Sequence, residues 1–173
     1  MRVPGVPQDD VEFVAFYAAS RDPCLRAVCA MVGDRRLAED LVAEGFARAW
    51  ASWSKVSSHP APMAWVLRTA VNLRVSWWRR RRRELPLVGA DGVSQPASGQ
   101  GIDPSIMAAL NRLSARQREV IVLRVLLDLD THTTATVLGI APGTVTAHLS
   151  RAADALQRDL ADNHHPKTLE RNP

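Results

Sequence analysis

The stretch "THTTATVLGIAPGTVTAHL", Thr131 to Leu149, decides the fold. Ala135 is a small residue at the point where two helices come closest, Gly139 follows four residues later, and Val145 six residues beyond that. This order of small, flexible and apolar positions is what a helix-turn-helix demands. Glycine supplies a positive φ after the first helix, and Pro142 opens the second without giving up a backbone hydrogen bond. The second helix is the one that enters a DNA major groove. Thr144, Thr146, Ala147, His148 and Arg151 fall on its expected exposed side, where they can meet base edges or phosphates. Taken alone, the same pattern suits a small helical core built on Leu138, Ile140, Val145 and Leu149. Two features thin any DNA contact here: Thr134 stands at a usually apolar position, and His148 and Arg151 are the recognition helix's two candidate cations.

Working outward, Asp103 followed by Pro104 reads as a helix start, and Ser114 with Gln117 completes a capping box. Asp128, Asp130 and His132 read as a helix junction with an N-cap. Upstream, Leu85 to Asp103 is rich in Gly, Pro, Ser and Ala and lacks periodicity, the composition of a linker. From Asp10 to Glu84 apolar residues recur at helical spacing, with breaks near Gly33 and from Ser52 to Pro62, which predicts three or four helices in one bundle. Almost no alternating strand pattern occurs, and the sequence shows no internal repeat. The expected architecture is therefore all-α: two small helical domains, 10–84 and 104–161, joined by a flexible linker at 85–103 and followed by a polar tail at 162–173.

In the first domain, a helix from about Arg36 to Trp50 places Leu41, Val42, Gly45, Phe46 and Ala49 on one arc. Asp40, Ala43, Glu44, Ala47 and Arg48 fall opposite. Asp40 and Glu44 are like charges one turn apart, which costs a few tenths of a kcal/mol in an isolated helix. They are either a solvated acidic face or a face that a basic partner covers. The next helix, roughly Pro62 to Arg83, carries an inward stripe of Met63, Val66, Leu67, Ala70, Leu73, Trp77 and Trp78. Its other face collects Trp65, Arg68, Thr69, Asn72, Ser76 and Arg79, with Arg80 continuing into the run Arg79 to Arg83. A Trp among cations can stack on unpaired bases while Arg holds the backbone, a combination suited to single-stranded DNA. The alternative is a packing Trp beside a solvated, dipole-favoured basic helix end.

The bulk chemistry agrees with a nucleic-acid partner. At 173 residues and 46% hydrophobic the chain can build real cores. Its net charge is +4, nearly all of the basic side is arginine, and the pI is about 9.8. Arginine favours bidentate phosphate recognition. No apolar run approaches a membrane span, so no membrane insertion is expected, and the start, with Pro4, Pro7, Asp9 and Asp10, lacks signal-peptide character, which predicts the cytoplasm. Cys24 and Cys29 are five apart, about 140° around a helix, and read as two small buried hydrophobes rather than metal ligands. His164 and His165 sit in the polar tail. No metal, cofactor or catalytic set is expected, since paired His and carboxylate, a phosphate loop and a nucleophile elbow are all missing; the chain reads as not an enzyme.

Two ordered motifs then carry a resemblance. "GDRRLAEDLVAEGFARAW" (Gly33 to Trp50) and "AWVLRTAVNLRVSWWRRRRRE" (Ala64 to Glu84) resemble region 2 of bacterial RNA polymerase sigma factors of the extracytoplasmic-function (ECF) group, in the sigma-70 family. "LSARQREVIVLRVL" (Leu113 to Leu126) and "VLGIAPGTVTAHLSRA" (Val137 to Ala152) resemble region 4. The resemblance implies an alternative sigma factor that binds core RNA polymerase, through the largest-subunit clamp helices and the flap, and directs promoter-specific initiation. It implies core binding by Asp40, Glu44 and Ala43, the last standing where relatives carry Gln. It implies −10 recognition and melting, on duplex and then melted strand, by Trp65, Arg68, Thr69, Asn72, Ser76, Arg79 and Arg80, with Val66 after Trp65 where housekeeping relatives have a second aromatic. The loop Ser52 to Pro62, with Trp53 and Ser57, is where relatives capture a flipped base. Recognition of the −35 element falls to Thr144, Thr146, Ala147, His148 and Arg151, where relatives show Lys, Ser and Arg at positions 146 to 148. The linker resembles the segment threaded toward the RNA exit path, an anti-sigma protein is an expected partner, and polymerase would bring the chain to the nucleoid. The competing reading is a stand-alone helix-turn-helix regulator that binds duplex DNA without polymerase.

Overall fold

The computed structural model describes residues 8–84 and 103–163; the linker expected at 85–103, apart from Asp103, and the tail beyond 163 lie outside the described residues. Eight α-helices and one π-helical turn are present and strands are absent among the described residues. Helices α1 (Gln8–Val32), α2 (Arg35–Ala51), α3 (Trp53–Val56) and α4 (Pro62–Glu84) form a first bundle. Helices α5 (Pro104–Arg112), α6 (Ala115–Ile121), α7 (Thr131–Leu138) and α8 (Pro142–Asn163) form a second, and α6 continues into the π turn Val122–Leu126.

The C-terminal half of α1 supplies the first core with Cys24, Leu25, Ala27, Val28 and Cys29, all buried, while Val11, Val14 and Tyr17 of its N-terminal half stay exposed. The cysteines are the small apolar residues expected, and burial pushes their thiols up, to about 12 for Cys24 and about 11 for Cys29. After Gly33, Asp34 caps α2 by accepting from the Leu37 N–H at 3.0 Å. Leu41, Val42, Gly45, Phe46 and Ala49 are buried, as the periodicity predicts. Gly45 lets α2 and α4 approach closely: a Cβ there would lie 3.2 Å from Val66 Cγ1 and 3.3 Å from its carbonyl oxygen.

Polar residues from Ser52 to Pro62 suggest a plain loop, yet a helical turn, α3, lies within it and inserts Trp53 and Val56 into the core. Trp53 meets Phe13 edge-on at 5.2 Å and Phe16 at the same distance, tilted. Trp50 meets Phe13 at 4.8 Å from the exposed side. These aromatics bury large areas that single-helix periodicity does not reveal.

In the second bundle the caps are those expected. Asp103 accepts from the Ser105 N–H at 2.7 Å, Ser114 and Gln117 form a reciprocal capping box, and Asp130 accepts from the Thr133 N–H at 2.7 Å. Arg118 closes the other end of α5 by donating to the carbonyls of Leu110, Asn111 and Leu113. Gly139 has φ 65° and ends α7, with the Ile140 N–H reaching back to the Ala135 carbonyl at 3.1 Å. Nothing lies within 4 Å of a Cβ built at Gly139, so a side chain there meets only its own backbone strain. Gly139→Ala is therefore expected to cost about 1–2 kcal/mol in chemical denaturation, and Gly139→Asn less. Equal losses for the two would point to a packing clash instead.

Candidate functional site

Three surfaces carry the expected chemistry. The first is the outer arc of α2, where Asp40, Ala43 and Glu44 are all exposed. Glu44 accepts from Arg48 at 2.7 Å and Glu39 from Arg35 at 2.9 Å, both one turn apart and solvent-facing. Asp40 has no ion-pair partner among the described residues. Part of the acidic arc is thus locally compensated, and Asp40 is the charge most available to a partner.

The second surface is the outer face of α4. Arg68, Asn72 and Ser76 are exposed there, with successive spacing of four residues keeping them in one row. Trp65, expected in the same row, is instead half-buried and packed on the core. Thr69 is half-buried as well, its hydroxyl donating to the Trp65 carbonyl at 2.9 Å. The stacking platform is therefore one partly covered indole, with its remaining surface beside Arg68. The side chains of Trp77, Trp78, Arg79 and Arg80 lie outside the described residues, although the helix itself continues to Glu84. Trp53 is removed from any base-capture role by its burial at 7% exposure, whereas Ser57 is exposed.

The third surface is the helix-turn-helix. Ala135 and Val145 are buried at the crossing of α7 and α8, as the motif requires, and Thr134 is fully buried with its hydroxyl lacking a partner. Thr144, Thr146 and Arg151 are exposed on α8. Ala147 and His148 are not: both are half-buried, and His148 Nδ1 is buried without a partner. At about 100° per residue, His148 lies about 60° from Val145 on the flank of the inward stripe of Val145, Leu149 and Ala152. The recognition surface is accordingly neutral hydroxyls plus Arg151.

Sequence reasoning missed a charged cluster at the contact between the two bundles. Arg74 of α4 donates to Glu119 of α6, and Arg116 donates to the other carboxylate oxygen at 2.9 Å. Glu119 is buried, and in the sequence it looked like any helix-surface acid. No group of three or more His, Cys, Asp or Glu side chains that could hold a metal ion occurs among the described residues, and no helix described is long and apolar enough to cross a membrane.

Comparison with known proteins gives this geometry relatives. Residues 16–84 match the family model for sigma-70 region 2, and residues 104–156 match that for sigma-70 region 4. The chain is 30% identical over 156 residues to the RNA polymerase sigma-E factor of Streptomyces coelicolor, covering 87% of this chain and 86% of that one. It is 32% identical to the ECF RNA polymerase sigma factor EcfG of Rhodopseudomonas palustris, over 78% of this chain and 77% of that protein. Among solved structures it resembles the sigma factor RpoE of Bartonella quintana, crystallised with the anti-sigma factor NepR, with a TM-score of 0.73 and 26% identity over 87% of this chain and 97% of that chain.

Proposed function

The chain belongs to the sigma-70 family, in its ECF group, and is an alternative sigma factor, a transcription initiation factor that binds RNA polymerase and promoter DNA; from that premise we propose how its residues divide the work. Asp40 and Glu44, with Ala43 between them, meet basic residues on the clamp helices of the largest polymerase subunit. Arg68 and Asn72, with Ser76, the exposed part of Trp65, Thr69 and the arginines from Arg79, hold and read the melted −10 strand. Thr144, Thr146 and Arg151, with His148 and Ala147 at the edge, contact the −35 duplex, while region 4 also engages the flap. Domains run 10–84 and 104–161 with the linker 85–103 passing toward the RNA exit path. The chain works in the cytoplasm at the nucleoid, and an anti-sigma protein controls it, as the RpoE relative solved with NepR suggests.

The observation that carries this reading is the packing of α2 on α4 through Gly45 and Val66. It fixes an outward acidic arc and an outward row of Arg68, Asn72 and Ser76 on one rigid unit. A sigma factor needs that combination, one face for polymerase and another for DNA, and a stand-alone duplex reader does not. Arg68→Ala with Asn72→Ala tests it. Permanganate reactivity of −10 thymines in the holoenzyme complex should be lost while polymerase binding persists; unchanged reactivity would remove α4 from the melting role.

A phosphate or base contact from a single exposed cation supports only a modest share of affinity. Substituting Arg151 and His148 together by Ala should lower −35-dependent transcription about three- to fivefold, with most of the loss from Arg151. A complete loss in run-off assays on templates with and without the −35 element would contradict the assignment of most promoter affinity to region 2 and its Arg run.

A further inference from the structure

The N-terminal half of α1 carries an apolar surface that neither bundle covers. In VEFVAFYAAS, Val11 to Ser20, Glu12 is the single charged residue. Phe13 and Phe16 pack on the core, and Ser20 is buried. A helix with only water on its other side carries polar residues there, and a helix apolar all round is covered on both sides. Here the other side holds Val11, Val14, Ala15 and Ala18, all exposed, Val11 by 46% and Val14 by 64%. Tyr17, itself exposed, stacks on Phe13 at 6.3 Å, and Phe13 in turn meets the exposed Trp50, so the apolar surface continues round the helix.

The spacing of this face says what fits it. Val11, Val14 and Ala18 stand three and four residues apart, the seam spacing of two helices lying side by side. Its flanking charges say which helix. Asp10 and Arg21 are eleven residues apart, and at about 100° per residue this leaves them about 20° from each other, on one flank of the seam. A second α1 laid antiparallel, centred at the level of Ala15 and Phe16, brings its Arg21 opposite Asp10 and its Asp10 opposite Arg21. A parallel mate would set Asp10 against Asp10 and align the two helix dipoles. Asp10 has no ion-pair partner among the described residues. Arg21 lies 2.7 Å from Asp22 in an exposed pair of small worth, and its guanidinium can serve both carboxylates.

We propose that the outer face of α1, with Val11, Val14, Ala15 and Ala18 flanked by Asp10 and Arg21, is a self-association surface on which a second copy of this chain docks antiparallel. A two-fold contact uses the same patch on both copies, so it closes at two and leaves no patch for a third. The segment from Gln8 to Asp22 is about 22 Å long and about 10 Å wide. A strip of that size buries less than the roughly 1,200 Å² at which stable complexes begin. The dimer is therefore a weak one, with a Kd on the order of 10–100 μM. The face uses none of the residues assigned to polymerase or promoter DNA, and so does not depend on that assignment.

Sedimentation equilibrium of the full chain, reduced and free of nucleic acid, tests this over a concentration series from about 1 to about 500 μM, which brackets that Kd. The weight-average mass should climb from 19.0 kDa toward twice that value and no further. Val14→Glu puts a charge into the seam and should abolish the association with circular dichroism unchanged. Val14→Ser, weakening it about tenfold, carries this arm if the Glu variant does not fold. Val125→Glu, at an exposed apolar position of the second bundle, should leave it unchanged. Arg21→Asp alone and Asp10→Arg alone should each weaken the dimer about tenfold, since symmetry counts each lost pair twice. The two together should restore it to within about threefold, because an antiparallel mate simply exchanges the charges. A mass that stays at 19.0 kDa throughout, or one that rises past the dimer, overturns the proposal. So does association retained by folded Val14→Glu, or a double exchange without recovery. A chain monomeric at every concentration whose Val14→Glu variant loses core polymerase binding would give the face to polymerase instead.

Discussion

Converting Asp40 and Glu44 together to Ala is expected to weaken binding of core RNA polymerase about 100-fold without disturbing the fold. Both side chains point away from the buried arc of Leu41, Val42, Gly45 and Phe46, so their loss removes no packing. Truncating one partner of a desolvated interfacial charge pair costs about 2–5 kcal/mol. These exposed residues fall somewhat below that range, because Glu44 already shares Arg48 and surface charges are screened by solvent. About 1.5 kcal/mol from each residue makes roughly 3 kcal/mol, or about two orders of magnitude in Kd. Glu39, exposed one residue before Asp40 and paired with Arg35, is the internal comparison, and Glu39→Ala should change affinity less than about threefold. Fluorescence anisotropy of labelled chain against core enzyme at fixed salt measures all three. A double variant within threefold of wild type would remove the acidic arc from the polymerase interface.

The second large effect concerns stability. Trp53→Ala should cost about 3–5 kcal/mol, the range for deleting a buried indole. Small domains have about 5–15 kcal/mol in total, so region 2 would be left near its unfolding threshold. The reason lies in the aromatic packing: Trp53 is held between Phe13 and Phe16, both 5.2 Å from it, and Phe16 in turn meets Phe46 at 5.8 Å. Removing the indole opens a void against Phe13 and Phe16 of α1, which cannot close it without moving the helix. Trp50→Ala is the contrast. Its ring is 45% exposed and meets Phe13 from outside, so about 1 kcal/mol is expected. Urea denaturation of the two variants side by side decides the matter, and equal losses would show that Trp53 is not the centre of this core.

These cases show where sequence was a good guide. Turn chemistry and helical periodicity are local, so the Gly139 and Pro142 signature, the Ser114 and Gln117 box and the buried arc of α2 were all legible. Side chains at the flank of a stripe were less so. His148 and Trp65 sit where a change of a few tens of degrees moves a group from solvent to core, and both turned out half-buried. Trp53 was hidden because its polar neighbours, Ser52, Ser54 and Lys55, mask a single turn of helix. Arg74 and Glu119 were invisible for another reason: they are 45 residues apart, and each alone is an ordinary charged residue on a helix. Periodicity finds the faces of one helix. It does not say which domain covers them.

The most direct measurement is run-off transcription with core RNA polymerase over a library of promoter templates. Discrete start sites should appear only when core and this chain are both present, and should disappear with the Asp40→Ala, Glu44→Ala variant. Core with the wild-type chain initiating nowhere, or the same start sites arising from core alone, would contradict its role as a sigma factor.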